Sequence, residues 1–436
     1  MDVNELIKTL ESQGKNTLAN VIAKSGNLTI DQYSKYLWDY DTQIPLEPAL
    51  IQAFQMEFKR LGIDEIKGSE IIDSFEKYRT LQTAPHTGLL DSTSVPAMAL
   101  HTVALESIPF DSYYVVGTFS GIPFGNDSYP GALSFNINND FENIIDKESV
   151  YYNSFKKRQI DRIRDVENER YNRMALYENT MRDDLVYRSV IPPLFKSVYP
   201  YLNNKVKDYL KYQDGDTDFT KVMLNSVQSF SQKLFNNEKI IFVDINEVIT
   251  NYLTIVLKDT DHFIYKMFFN EDTHKKVMEI WSHNAHFFYD IVKTDSGKKQ
   301  VHAYIESLLL KNIHNQQEIN PEKLIQKLKN DRFCPGVFLG FTVLSFLNGF
   351  QCFGSFKQVS YLTDYKKTWL ESNLLPTDIT NVRTDSLTTG ALPNENDQYK
   401  TAIDIILGAS WQSPDGNTKF NDMLFPIQDR LIKFKV

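Results

Sequence analysis

Cysteine is almost absent from this chain: Cys334 and Cys352 are the two it contains in 436 residues. Two thiols cannot form the disulfide framework of a secreted scaffold, which points to a reducing compartment, the cytoplasm. Long hydrophobic runs are missing as well. The nearest approach, 337–353, is cut by Gly340, Ser345, Asn348, Gly349 and Gln351, so no membrane-spanning helix is expected. The opening MDVNELIKTLESQGKN is too polar for a secretory signal. A surplus of positive charge is also lacking. With 47 Lys and Arg against 56 Asp and Glu, the net charge of −9 argues against a general nucleic-acid surface. Walker A, GxGxxG, GxSxG and HExxH patterns are absent, which removes the fingerprints of ATPases, dinucleotide enzymes, α/β-hydrolases and zinc proteases.

What the chain does have is rings. Its 29 Phe and 23 Tyr imply a core that leans on aromatic packing. Apolar spacing predicts helices across residues 1–80: Leu6, Ile7, Leu10; Leu18, Val21, Ile22; Ile30–Trp38; and Leu50–Leu61. Breaks are expected at Ser12-Gln13-Gly14, at Ser25-Gly26-Asn27 and at Lys67-Gly68-Ser69, with Ser69 capping a helix over Glu70–Arg79. Further on, Phe155–Arg188 reads as one long charged helix, and Lys239–Asp244 as a buried strand followed by a helix capped by Asp244 or Asn246. Strands are expected over Ile264–Phe269, Ala285–Val292 and Gln300–Ile305, with a hairpin turn at Thr294–Gly297. Strands separated by helices give an α/β protein, read as a helical N-terminal segment (1–80) and an α/β core (81–436) with a helical insertion around 140–235.

The chemistry concentrates between Gln82 and Asn136. Thr83-Ala84-Pro85-His86-Thr87-Gly88 packs a histidine, two hydroxyls and a glycine into one loop, and Asp91-Ser92-Thr93-Ser94 offers N-caps for a helix over Val95–Glu106. Tyr113–Thr118 then reads as a buried strand. Loop, helix and strand in this order let a helix N-terminus hold an anion. His86 and Asp91 are the candidate catalytic groups, His86 being able to move a proton. Thr83, Thr87, Ser92 and Thr93 are candidate ligands for a phosphate or substrate, joined by Arg332, whose planar guanidinium suits either a phosphate or a carboxylate.

His283, His286 and His302 could in principle meet around a metal. Residues three apart point to opposite faces of a strand, however, and no cysteine stands beside them, so no metal site is expected. The two cysteines stand in apolar surroundings and read as core residues rather than nucleophiles.

The segment Thr83–Glu106 followed by Tyr113–Thr118 resembles the first loop–helix–strand unit of the bacillithiol-synthase-like proteins. Asp331-Arg332-Phe333-Cys334-Pro335 and Phe346–Phe356 resemble that family's late arginine-containing loop and glycine-bearing strand. The resemblance covers about a fifth of the chain by the extent of these segments. It implies a nucleotide-binding Rossmann-type core and a cysteine-adding ligase activity. The family's Thr-Gly-Gln-Gln loop is replaced here by Thr83–Gly88, and its acidic-histidine motif by Gly121–Asp127. The same loop is similar to the HxGH signature of nucleotidylyl transferases, with Leu89 in place of the second histidine. The expectation is therefore a ligase or transferase of small-molecule biosynthesis, with a nucleotide as candidate cofactor and a homodimer through an aromatic-rich or helical surface. The alternative is a non-catalytic protein that binds another protein and keeps a vestigial pocket.

Overall fold

The N-terminal helices begin where the capping residues stand. In the computed structural model, α1 (Val3–Ser12) opens on a capping box in which Glu5 N donates to Asp2 Oδ1 at 2.9 Å and Asp2 N to Glu5 Oε2 at 3.2 Å. After α2 (Asn16–Ser25), α3 (Ile30–Trp38) repeats the device with Thr29 and Gln32. Pro48 starts α4 (Pro48–Leu61), and Gly62 closes it in the left-handed region. The structure describes residues 2–85, 95–120, 132–136, 171–175, 218–281, 287–294, 297–329, 333–391, 405 and 413–434.

One expected break is not there. The fifth helix, α5 (Glu65–Tyr78), is capped by Asp64 rather than Ser69 and runs straight through Lys67-Gly68-Ser69. A glycine inside a helix costs about 1 kcal/mol relative to alanine. Burying Ile71, Ile72 and Phe75 against the core outweighs that cost, while Gly68 packs against the Phe58 ring of α4.

Four strands form an all-parallel sheet: β1 (Thr80–Gln82), β2 (Tyr114–Thr118), β5 (Ile240–Asp244) and β11 (Gln351–Phe353), in the order β11-β1-β2-β5. Every residue of these four strands is buried, as the apolar runs at Tyr113–Thr118 and Lys239–Asp244 predict for a sheet covered on both faces. In register, Tyr114 stands beside Ile240, Val116 beside Phe242 and Thr118 beside Asp244. The Tyr114 face meets α6 (Val95–Leu105) through His101, whose ring lies 5.5 Å from Tyr114 and 5.9 Å from Phe242. The opposite face takes α8 (Ile245–Val256), after α7 (Phe219–Phe235) has led into β5. A Cβ on Gly117 would stand 2.5 Å from Ile245 Cδ1, so glycine is what lets α8 approach the sheet this closely. Asp244 caps α8 by accepting from Asn246 N, as its position after the strand suggests.

A second sheet is antiparallel, in the order β10-β6-β7-β8-β9: β6 (Phe288–Thr294), β7 (Gly297–Glu306), β8 (Leu309–Lys311), β9 (Gln316–Glu318) and β10 (Phe333–Pro335). Thr294 pairs with Gly297, matching the turn read there. The remaining two strands, β3 (Ala132–Asn136) and β4 (Tyr171–Ala175), pair with each other. That pair corrects the single helix expected over Phe155–Arg188, whose other residues lie outside the described ones. Tyr171 and Met174 satisfy a helical spacing, but so short a run is decided by its partner strand rather than its own period.

Ile264–Phe269 is a second correction. It belongs to a helix, α9 (Phe263–Phe269), not a strand. Its aromatic and branched residues have strand propensity, yet Ile264, Met267 and Phe268 are the buried ones, at helical spacing, and His262 Nδ1 accepts from Ile264 N to cap it. The remaining helices are α10 (Glu271–Trp281), α11 (Pro321–Leu328), α12 (Val337–Phe341, continued by a π-turn over Thr342–Leu347), α13 (Phe356–Ser372), α14 (Phe420–Leu424) and α15 (Gln428–Lys433). One apolar cluster runs from Leu6 through Val116 and Phe242 to Leu431, joining the N-terminal helices to the parallel sheet. Among the described residues no helix is long and apolar enough to cross a membrane.

Candidate functional site

Strand order locates the site. From β1 the chain steps to β2 and on to β5, whereas β11 returns on the other side of β1, and Leu387 then bridges in parallel beyond it at Gly354. Connections therefore leave β1 and β11 in opposite directions. In open parallel sheets such a switch point opens a crevice at the carboxyl ends of the two strands, where ligands bind. Here those ends are Gln82-Thr83 and Phe353-Gly354-Ser355. The connection from β1 leads to α6, and Ser355 caps α13 directly after β11.

A buried network of neutral groups ties the two ends together. Thr83 N donates to Phe353 O at 3.0 Å, and Thr83 Oγ1 donates to the same carbonyl at 3.1 Å. Gln358, in the first turn of α13, reaches back so that its Nε2 donates to Thr83 Oγ1 at 2.7 Å. A Cβ on Gly354 would meet the Gln358 amide at 3.0 Å, so this close strand–helix contact depends on glycine. Gln82 Nε2 donates to Tyr114 Oη at 3.0 Å and to Thr388 Oγ1 at 3.1 Å, while Gln82 Oε1 accepts from Ala84 N at 3.0 Å. Tyr114 Oη, which accepts from Gln82, also lies within hydrogen-bond distance of His101 Nδ1, 2.9 Å away. Burial holds the Tyr114 hydroxyl protonated, well above its ordinary range.

Of the residues singled out in the sequence, Thr83 sits at the switch point, buried, with its hydroxyl bonded to Phe353 and Gln358. His86, Thr87, Asp91, Ser92, Thr93 and Arg332 lie outside the described residues, as do His283 and His286. The chain between Pro85 and Val95 nonetheless joins the end of β1 to α6. His302 lies on β7 opposite Tyr289, their rings 5.2 Å apart. No group of three or more His, Cys, Asp or Glu side chains suited to a metal occurs among the described residues.

Sequence reasoning missed Gln358 and Thr388 as partners of Thr83 and Gln82, and His101 as the partner of Tyr114. Their signals were local and weak: a Gly354-Ser355 pair opening a helix, and the hydroxyl-rich Thr388-Thr389-Gly390.

At the far end of the same edge, Asp244 N donates to Glu57 Oε1 at 2.9 Å, and Arg60 clasps Glu57 with Nε–Oε2 at 2.6 Å and Nη2–Oε1 at 2.8 Å. Arg60 also pairs with Asp218. Burial disfavours the charged form of Arg60, but Glu57 and Asp218 more than offset it and push its pKa above the ordinary value. This cluster locks α4 to β5. Both cysteines are buried free thiols, and burial pushes Cys352 up to about 12, which removes it as a nucleophile near neutrality. Away from the switch point, a groove of about 760 Å³ is lined by residues such as Leu257, Lys258, Tyr265, Ile325 and Lys329, none from the parallel sheet.

No protein-family model and no curated protein matches this chain. The class assigned to it is accordingly the one its topology defines: an α/β protein with a four-stranded parallel sheet and a switch point between β1 and β11.

Proposed function

We propose that this chain is a cytoplasmic enzyme of small-molecule biosynthesis, a ligase or transferase that joins or transfers a group at the carboxyl edge of the parallel sheet. In this reading the sheet is the core of a Rossmann-type unit, and a nucleotide is the cosubstrate that the family resemblance implies. His86 moves the proton and Asp91 assists it. Thr83, Thr87, Ser92 and Thr93, with the N-terminus of α6, hold a phosphate or carboxylate, and Arg332 supplies the distant positive charge. A homodimer through an aromatic-rich or helical surface belongs to the same proposal.

One observation carries the reading. The Thr83–Ser94 loop, picked out for its chemistry, leaves the sheet at the strand where the order reverses. The buried network of Gln82, Thr83 and Gln358 holds the root of that loop, as a preorganised site requires.

The test pairs ligand binding with one variant. A thermal-shift screen with nucleotides should find one that stabilises the chain, by about 2.7 kcal/mol at a hundredfold over its Kd. His86→Ala should then abolish turnover while leaving the melting temperature nearly unchanged. A variant that unfolds would mark His86 as structural, and one with full activity would remove it from the mechanism. A chain that binds no nucleotide at all would favour the non-catalytic, protein-binding alternative.

A further inference from the structure

The groove away from the parallel sheet is one space between two walls. One wall is α11, which contributes Glu322, Ile325 and Lys329. The other is Leu257 and Lys258 at the end of α8, with Tyr265 of α9. Its volume of about 760 Å³ falls within the roughly 300–1,000 Å³ of small-molecule sites. Leu257 is buried, and Ile325 and Tyr265 are half-buried, so the groove has an apolar floor beneath exposed charges.

Those charges are not spent within the protein. Neighbouring lysines are paired, Lys266 with Asp261 at 3.5 Å and Lys327 with Asp290 at 3.3 Å. The side chains of Lys258, Lys329 and Glu322 form no ion pair and no hydrogen bond among the described residues. Glu322 stands in the first turn of α11, and Lys329 is its C-cap. Between the two the helix makes about two turns, which puts them on one face, roughly 10 Å apart at about 1.5 Å per residue. Ile325 lies between them on the same face. Each end of a helix carries only about half a charge, so the whole charges of Glu322 and Lys329 set the sign at the two ends of the groove. Lys258 adds a second ammonium from the facing wall.

We propose that this groove binds a short apolar peptide by its two free ends, at a site separate from the one at the parallel sheet. The α-ammonium of the peptide meets Glu322, and its α-carboxylate meets Lys329, with Lys258 as a second donor. Its apolar side chains cover Leu257, Ile325 and the Tyr265 ring. An extended residue spans at most about 3.3–3.6 Å, so three residues match the spacing of the opposite charges.

The experiment is isothermal titration of the full chain, at low ionic strength, with trileucine, N-acetyl-trileucine, trileucine amide and triglycine. Trileucine should bind, each blocked peptide roughly threefold to fivefold more weakly, and triglycine at least about tenfold more weakly. In Glu322→Gln the free and acetylated peptides should bind alike while the amide keeps its penalty. In the double variant Lys258→Gln, Lys329→Gln the amide should lose its penalty and the acetylated peptide keep it. All three residues are exposed, so the melting temperature should hold in every variant. Absence of trileucine binding overturns the proposal. Equal binding of free and blocked peptides also overturns it, and would mark the groove as a seat for an internal stretch of a longer chain. An acetylation penalty that survives Glu322→Gln, or an amidation penalty that survives loss of both lysines, removes the assigned partners. Triglycine binding as tightly as trileucine would overturn the apolar assignment.

Discussion

The two larger sheets of this protein are built on opposite terms. The parallel sheet has four short strands, every residue buried, with helices on both faces. The antiparallel sheet is built on two longer strands, β6 and β7, and ends in β9, whose residues Gln316, Gln317 and Glu318 are all exposed. A sheet covered on both faces can meet a ligand only at its ends, because helices occupy everything else. That is why polar side chains gather at the carboxyl ends of β1 and β11. A sheet with an open edge and exposed charge carries no such constraint, and its polar residues serve solubility and edge protection.

The sharpest test of this contrast is truncation in each sheet. Ile241, wholly buried in β5, should cost about 2–5 kcal/mol on Ile241→Ala, whereas Gln317→Ala in β9 should stay within about 0.5 kcal/mol. Urea unfolding monitored by circular dichroism measures both. Similar losses in the two sheets would break the comparison.

A smaller effect is expected at the polar edge itself. Gln82→Leu leaves Ala84 N without its Gln82 acceptor and removes one bond each from Tyr114 Oη and Thr388 Oγ1, which should cost about 1–3 kcal/mol. Thr388→Val removes the bond from Gln82 Nε2 and the longer contact to Gly354 O, and should cost about 1 kcal/mol. If Gln82→Leu were neutral in urea unfolding, the network would be solvated rather than sealed.

The smallest effect belongs to the opposite end of β2. Asp111 pairs with Lys77 and Tyr78 at the surface, and the Lys77 hydrogen bond, helped by Tyr78, holds its carboxyl down at about 2. A depressed acid contributes stability that is complete above its unfolded value near 4 and is lost as pH falls toward 2. The pair is exposed and screened by salt, so Asp111→Asn should lower stability slightly at pH 7 and remove this step from the acid limb. An acid limb unchanged by Asp111→Asn would show that the pair contributes nothing.

Much of this was legible in the residues alone. Helical spacing at Leu6–Leu10, Leu18–Ile22 and Ile30–Trp38, and the runs at Tyr114–Thr118 and Ile240–Asp244, report burial directly, because each pattern is imposed by one face or by both. Failures came where two periods fit one short segment. Ile264–Phe269 has the composition of a strand and the burial of a helix, and Tyr171–Ala175, read as helical, pairs as a strand with β3. Local propensity differs there by less than what packing or strand pairing contributes.

By itself the sequence determined the buried strands and the helices of the N-terminal segment. Strand order was beyond it. That β11, more than two hundred residues after β2, returns to the far side of β1 depends on long-range pairing that leaves no periodic trace in the chain. The partners of the loop, Gln358 and Thr388, were hidden for the same reason: a hydrogen bond between residues about three hundred apart is written in neither one's neighbourhood. Only the assembled sheet brings Gln82, Thr83, Gln358 and Thr388 to one edge.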